Sequence, residues 1–142
     1  MKEAPEGFRA IPRLSPFNAL VGPLYERRSG DEVSIGVRIE EKHANSRGIC
    51  HGGLLATVAD LALGYAMLAK TGGKSFVTAH LAIDYAGAAR IGDWIESAVE
   101  IQRMGSRLAF ANGYLLCGES RIVRASAIFA VAQKGNDGPL TE

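Results

Sequence analysis

The stretch from Gly52 to Lys70 (GGLLATVADLALGYAMLAK) constrains this chain more than any other segment. Its apolar residues do not form one stripe. They run round the whole cylinder, which marks a helix covered on most of its sides. Leu54 to Ala69 is short for the ~20 residues of a membrane span, and Asp60 stands in its middle. The expectation is therefore a core helix rather than a transmembrane one, ended by Thr71-Gly72-Gly73.

The cover must come from the rest of the chain. Leu24 to Ser29 reads as a strand, followed by a turn at Gly30-Asp31. Val33, Ile35, Val37 and Ile39 alternate with Ser34, Gly36 and Arg38, so 32–40 reads as a half-buried strand. Beyond the helix come four more strand patterns. The first places Val77, Ala79, Leu81, Ile83 and Tyr85 on one face and Thr78, His80 and Asp84 on the other. The others fall near 93–103, 107–118 and 121–132, with breaks at Gly105-Ser106 and Gly118-Glu119. No βαβαβ alternation occurs, so the pattern predicts an α+β fold, an antiparallel sheet packed on one helix.

A chain of 142 residues can bury about two-thirds of its surface, enough for one core and not two. Residues 1–19 are expected to be a loose arm with a short helix, N-capped by Ser15 with Pro16 at its first position and stopping before Gly22-Pro23. Residues 20–132 are expected to form the single domain and 133–142 a flexible tail. The 16 basic and 15 acidic residues give a net charge of +1, too weak a field for non-specific nucleic-acid binding. Two cysteines, Cys50 and Cys117, make no disulfide framework, and MKEAPEGFRA has no apolar signal core. A cytoplasmic protein with no nucleic-acid or membrane partner is the expectation.

Asp60 is the residue out of place. A buried carboxylate costs several kcal/mol unless compensated. Small residues surround it at helical spacing: Ala56 and Thr57 one turn back, Gly53 two turns back, Gly64 one turn on. They leave a shallow channel with a carboxylate in it. Either Asp60 is a structural residue bonded to an amide or a partner helix, or it is a base or nucleophile with a pKa raised by dry surroundings. His51-Gly52-Gly53 opens the same helix. The first amides of a helix lack acceptors and carry the positive end of its dipole, and glycines allow close approach to the backbone. The pair is a potential oxyanion hole, or simply a flexible helix start.

Geometry joins the two. Gly52 and Asp60 are eight residues apart, hence ~12 Å along one helix. A single carbonyl needs its oxyanion donor ~3 Å away and its attacking group near contact. Two antiparallel helices related by a two-fold axis can supply both, so a catalytic role for both elements requires at least a dimer.

The run Asn45-Ser46-Arg47-Gly48-Ile49-Cys50-His51-Gly52-Gly53-Leu54, continuing through Ala56, Thr57 and Asp60, resembles the hotdog-fold acyl-CoA thioesterases, of the phenylacetate-pathway and 4-hydroxybenzoyl-CoA type. The resemblance covers roughly residues 20–132 and includes the order of elements. It implies a hotdog fold and hydrolysis of an acyl-CoA thioester to a free acid and CoA. It implies that Asp60 is the nucleophile or general base, the Gly52 amide the oxyanion donor, and Asn45 a positioner of thioester or water. His51 would orient the loop and carbonyl, and Thr78 would help hold the attacking water. Gly53 would border the substrate. Tyr85 to Arg90 match the segment beside pantetheine and phosphate, and Arg103, Gly105, Ser106 and Arg107 match the hairpin bordering the nucleotide. Gly87-Ala88 departs from the small residue and proline common in relatives. The forked donors of arginine suit phosphate, while strand-edge arginines are also ordinary solvated charges.

CoA belongs to the substrate, so no separate cofactor is implied, and the assembly implied is a homodimer or a homotetramer built as a dimer of dimers. Leu54, Ala56, Gly64 and Tyr65 suggest an apolar or aromatic acyl group. No zinc-type spacing links His43, His51, His80 and the cysteines, so no metal site is expected. Two alternatives stand beside hydrolysis. One is a non-catalytic acyl-CoA-binding module; the other is a hydratase or dehydratase on the same fold, which would want a catalytic histidine that the helix lacks.

Overall fold

The computed structural model describes residues 2–131. A long helix, α2 (Gly52–Thr71), is buried along most of its length. It is long and apolar enough to cross a membrane, yet a sheet takes up its apolar surface instead. The elements before it are β1 (Arg9–Ala10), α1 (Pro16–Val21), β2 (Tyr25–Ser29), β3 (Glu32–Arg38) and a 3-10 turn (Glu41–His43). Those after it are β4 (Phe76–Tyr85), β5 (Trp94–Met104), β6 (Leu108–Cys117) and β7 (Ser120–Val131). The seven strands form one antiparallel sheet in the order β1-β2-β3-β5-β6-β7-β4.

The sheet reaches the helix through small residues. Ala109, Ala111, Ala125 and Ala127 are buried on the inner face of β6 and β7. At Gly113 a side chain would instead meet the neighbouring strand β5, coming within 2.6 Å of the Ala98 carbonyl oxygen. The four alanines share one core with Leu61, Leu63 and Met67 of α2, all fully buried, so large residues of one layer meet small ones of the other. β3 and β5 pair only over Gly36–Arg38 and Trp94–Glu96. Where they separate, the buried Ser97 hydroxyl accepts the Ile35 amide at 2.9 Å, satisfying a donor that the ladder leaves. The last strand, β4, has ten residues and one strand neighbour, β7, so its outer edge lies open among the described residues.

Two expectations need adjusting. Residues 2–14 are not a loose arm: Arg9–Ala10 pair with β2, Ile11 is buried, and the Phe8 ring packs edge-on against Trp94 at 5.0 Å. The short helix is as expected, with the Ser15 hydroxyl accepting the Asn18 amide. It runs to Val21. The strict alternation expected along β4 is broken. Thr78 pairs with Phe129 and His80 with Ile128, leaving Ala79 as an extra residue in a β-bulge. The bulge shifts the inward phase by one residue. Before it, Phe76 is buried and Thr78 faces α2, while Val77 is 42% exposed; after it, Leu81 and Ile83 pack on the core. The expected end of the last strand at 132, and the tail 133–142, lie outside the described residues.

Candidate active site

The segment leading into α2 is held by its own backbone. Asn45 accepts the amides of Arg47 (2.9 Å) and Ile49 (3.2 Å) on Oδ1 and donates its own amide to the Ile49 carbonyl at 2.8 Å. Gly48 completes this loop at φ +75°, a left-handed conformation that favours glycine. The Asn45 side-chain oxygen is thus engaged in shaping the loop, a role the resemblance did not imply. Cys50 donates its amide to the Ala89 carbonyl at 2.8 Å, and Ile49 bridges to Arg90. His51 donates its amide to the His43 carbonyl at 2.8 Å. The entry to the helix is therefore stitched to two neighbouring loops.

At the helix start, His51 Nδ1 accepts the Gly53 amide at 2.8 Å as an N-cap, so the neutral ring carries its proton on Nε2. The Gly52 amide has no acceptor among the described residues. It is left at the positive end of a 20-residue helix. Tyr85 donates its hydroxyl to the Gly52 carbonyl at 2.7 Å, and its ring lies 3.2 Å from where a Gly52 Cβ would stand. Tyr85 therefore packs against the helix start. Thr57 closes the first turn, donating its hydroxyl to the Gly53 carbonyl at 2.9 Å.

Two turns further on, Asp60 is half-buried rather than sealed in a dry channel. The Thr78 hydroxyl donates to Oδ1 at 2.7 Å, and Oδ2 has no partner among the described residues. The bulge is what aims Thr78 inward, in place of the outward direction expected with His80 and Asp84. Cys50 is buried beside the helix start, and burial pushes its thiol up to about 11, far from the thiolate a nucleophile needs.

The remaining candidates fall into two places. Arg90 lies beside the motif loop through its bridge to Ile49. Arg103, Gly105, Ser106 and Arg107 surround the β5–β6 turn, where the Gly105 amide donates to the Leu108 carbonyl at 2.9 Å. Leu108 and Val77 both pair with Ala130, whereas Tyr85 and Leu115 both pair with Val123. The turn and the helix start are thus at opposite ends of the sheet, about 23 Å apart by strand rise. One copy does not bring them together. None of Arg90, Arg103 and Arg107 forms an ion pair among the described residues, whereas Arg9, Arg28 and Arg124 each hold a carboxylate.

Comparison with known proteins decides the family. The Thioesterase superfamily model matches residues 47–125, from the motif loop into β7. The chain belongs to the thioesterase superfamily. A Pseudomonas aeruginosa protein named "putative esterase" is 41% identical over 131 residues, covering 91% of this chain and 98% of its own. Human acyl-coenzyme A thioesterase 13 is 28% identical over 108 residues, 75% of this chain and 77% of its own. Among solved structures, zebrafish thioesterase superfamily member 2 superposes with a TM-score of 0.76 at 26% identity, covering 83% and 88% of the two chains. A Streptococcus pneumoniae thioesterase protein solved with coenzyme A superposes at 0.71 with 22% identity, over 77% and 85%. The sheet wrapped on one helix is the hotdog fold, and the protein is a thioester-hydrolysing enzyme of this superfamily.

Sequence reasoning missed three contributors near the helix start. Phe17 and Leu20 of α1 border it, and the buried His43 ties α1 to it. Their spacing, with Phe17 and Leu20 three apart on one helix face, was the available signal.

Proposed function

We propose that this thioesterase hydrolyses acyl-CoA to a free acid and CoA, in sites shared between two copies of the chain. The observation that carries the reading is the pairing of an unoccupied amide at Gly52 with a Thr78-held carboxylate at Asp60 on one rigid helix. At ~12 Å along that helix they cannot meet on one carbonyl. Two copies joined in antiparallel fashion along the open β4 edges would set Gly52 of one opposite Asp60 of the other, in two equivalent sites. The same arrangement offers the remote β5–β6 turn of one copy a place near the other copy's helix start.

In the reaction the thioester carbonyl oxygen accepts from the Gly52 amide. Water adds to the carbonyl carbon as Oδ2 of Asp60 takes its proton, and the oxyanion is held at the helix N-terminus. Collapse breaks the carbon–sulfur bond, and the departing CoA thiolate receives the proton from Asp60. The same free oxygen could instead attack directly, giving an anhydride that water then opens. Arg90, Arg103 and Arg107, without acidic partners, suit the CoA phosphates. Support for the CoA moiety comes from the relatives: one is named an acyl-coenzyme A thioesterase and another was solved with coenzyme A.

The test is thiol release across aromatic and aliphatic acyl-CoAs by the wild type and Asp60→Asn. Turnover of at least one acyl-CoA by the wild type, lost in the variant, is expected. Near wild-type thiol release by Asp60→Asn would remove Asp60 from the mechanism.

A further inference from the structure

A pocket of about 270 Å³ adjoins the helix start. Its floor is the first two turns of α2, where Gly53 contributes no side chain and Thr57 is tied back to the Gly53 carbonyl. Leu54 lies at its back, and Phe17 and Leu20 of α1 form one wall. These two are 57% and 74% exposed, although α1 is only six residues long. Two large apolar side chains left in water on one side of a catalytic amide leave that wall ready to cover an apolar group.

The wall is fixed rather than loose. His43 is buried, and its Nδ1 accepts the Glu40 amide at 2.9 Å. Nε2 therefore carries the proton and donates to the Val21 carbonyl, the last residue of α1, at 2.6 Å. The His43 carbonyl in turn accepts the His51 amide. One buried histidine thus couples the end of α1, through its ring, to the N-cap of α2, through its backbone carbonyl.

Resting on the thioesterase reading above, we infer that Phe17 and Leu20 are the residues that select the acyl group. A substrate carbonyl at the Gly52 amide places the acyl carbon beside Gly53, at the mouth of this pocket. The cleft also carries Lys42, His43, His51 and Thr57 and is open to solvent on one side. An apolar cavity of about 150 Å³ accommodates benzene, so about 270 Å³ leaves room for an apolar acyl group larger than acetyl, and that is the class selected. Of the four residues picked from the sequence for this role, only Leu54 lines the pocket; Ala56, Gly64 and Tyr65 do not.

The experiment measures kcat and KM for thiol release with acetyl-, hexanoyl-, phenylacetyl- and palmitoyl-CoA in the wild type, Phe17→Ala, Leu20→Ala and Leu20→Trp. The wild type should prefer hexanoyl or phenylacetyl to acetyl, and no preference over acetyl would overturn the inference. Either alanine variant should lower the ratio of hexanoyl to acetyl kcat/KM on the order of 10-fold, mainly through KM. Leu20→Trp, which narrows the pocket from an exposed position, should shift preference toward acetyl. Equal changes for every acyl group, or none, would overturn the inference while leaving the thioesterase reading intact. Absence of thiol release from any acyl-CoA by the wild type would overturn both.

Discussion

Thr78 donates its hydroxyl to Asp60 Oδ1 across 2.7 Å, joining the inward face of β4 to the middle of α2. The contact fixes one carboxylate oxygen and leaves the other, the proposed base, without a partner among the described residues. Removing it frees the side chain to rotate without changing its charge. Thr78→Val should therefore lower kcat by about 10- to 100-fold, the range for a hydrogen bond to a charged group. KM should move little, and Thr78→Ser should recover most of the loss. Steady-state kinetics on one good acyl-CoA checks this.

Asp60→Asn keeps the shape and hydrogen bond but cannot accept a proton. A fall in kcat of about 10²- to 10⁴-fold is expected, with CoA affinity by calorimetry retained. A single turnover in ¹⁸O-water tests for direct attack. Label in the Asp60 side chain after turnover marks an anhydride opened at the Asp60 carbon, whereas activation of water, like opening of the anhydride at the acyl carbon, puts label in the released acid alone.

Gly52→Pro removes only the amide proposed as the oxyanion donor. Proline is tolerated at the first helical position, and His51 already has the extended conformation (φ −61°, ψ 135°) that a following proline requires. The ring must shift slightly to clear Tyr85. This variant alone should be nearly inactive. Co-refolded in equal amounts with Asp60→Asn, it should recover about a quarter of wild-type activity. Half the random dimers are mixed, and each mixed dimer holds one intact site of two. No recovery would exclude a site shared between copies.

Cys50 should be silent in thiol chemistry despite lying next to His51. Burial holds its pKa at about 11, against an ordinary 9.0. The thiol form is therefore favoured by the fold at neutral pH and begins to be lost only as pH rises toward 11. Labelling with a thiol reagent at pH 8 should leave Cys50 unmodified until denaturant is added, as mass spectrometry of the Cys50 peptide would show. Cys50→Ser should retain thiol release.

The parts of this architecture that were legible in the sequence are those written locally. The all-round apolar character of 52–70, the Ser15-Pro16 start of α1 and the glycine breaks between the last strands each act within a few residues. So does the motif around His51. The parts that were not legible depend on remote partners. β1 is two residues long and exists because β2 lies beside it. The bulge at Ala79 carries no local signal, yet it decides that Thr78 faces Asp60. Strand register alone separates the β5–β6 turn from the helix start, although motif matching groups their residues together. His43 looked like an isolated histidine until the fold brought Val21 against it.

Placing Gly52 and Asp60 on one continuous helix turns their spacing into a ruler with discrete marks. Backbone pitch sets the interval, so no loop rearrangement elsewhere can tune it. One residue inserted between them would swing the carboxylate by about 100° and advance it ~1.5 Å, off the Thr78 hydroxyl. Variation in this enzyme has to leave that interval untouched and work instead on the walls around it.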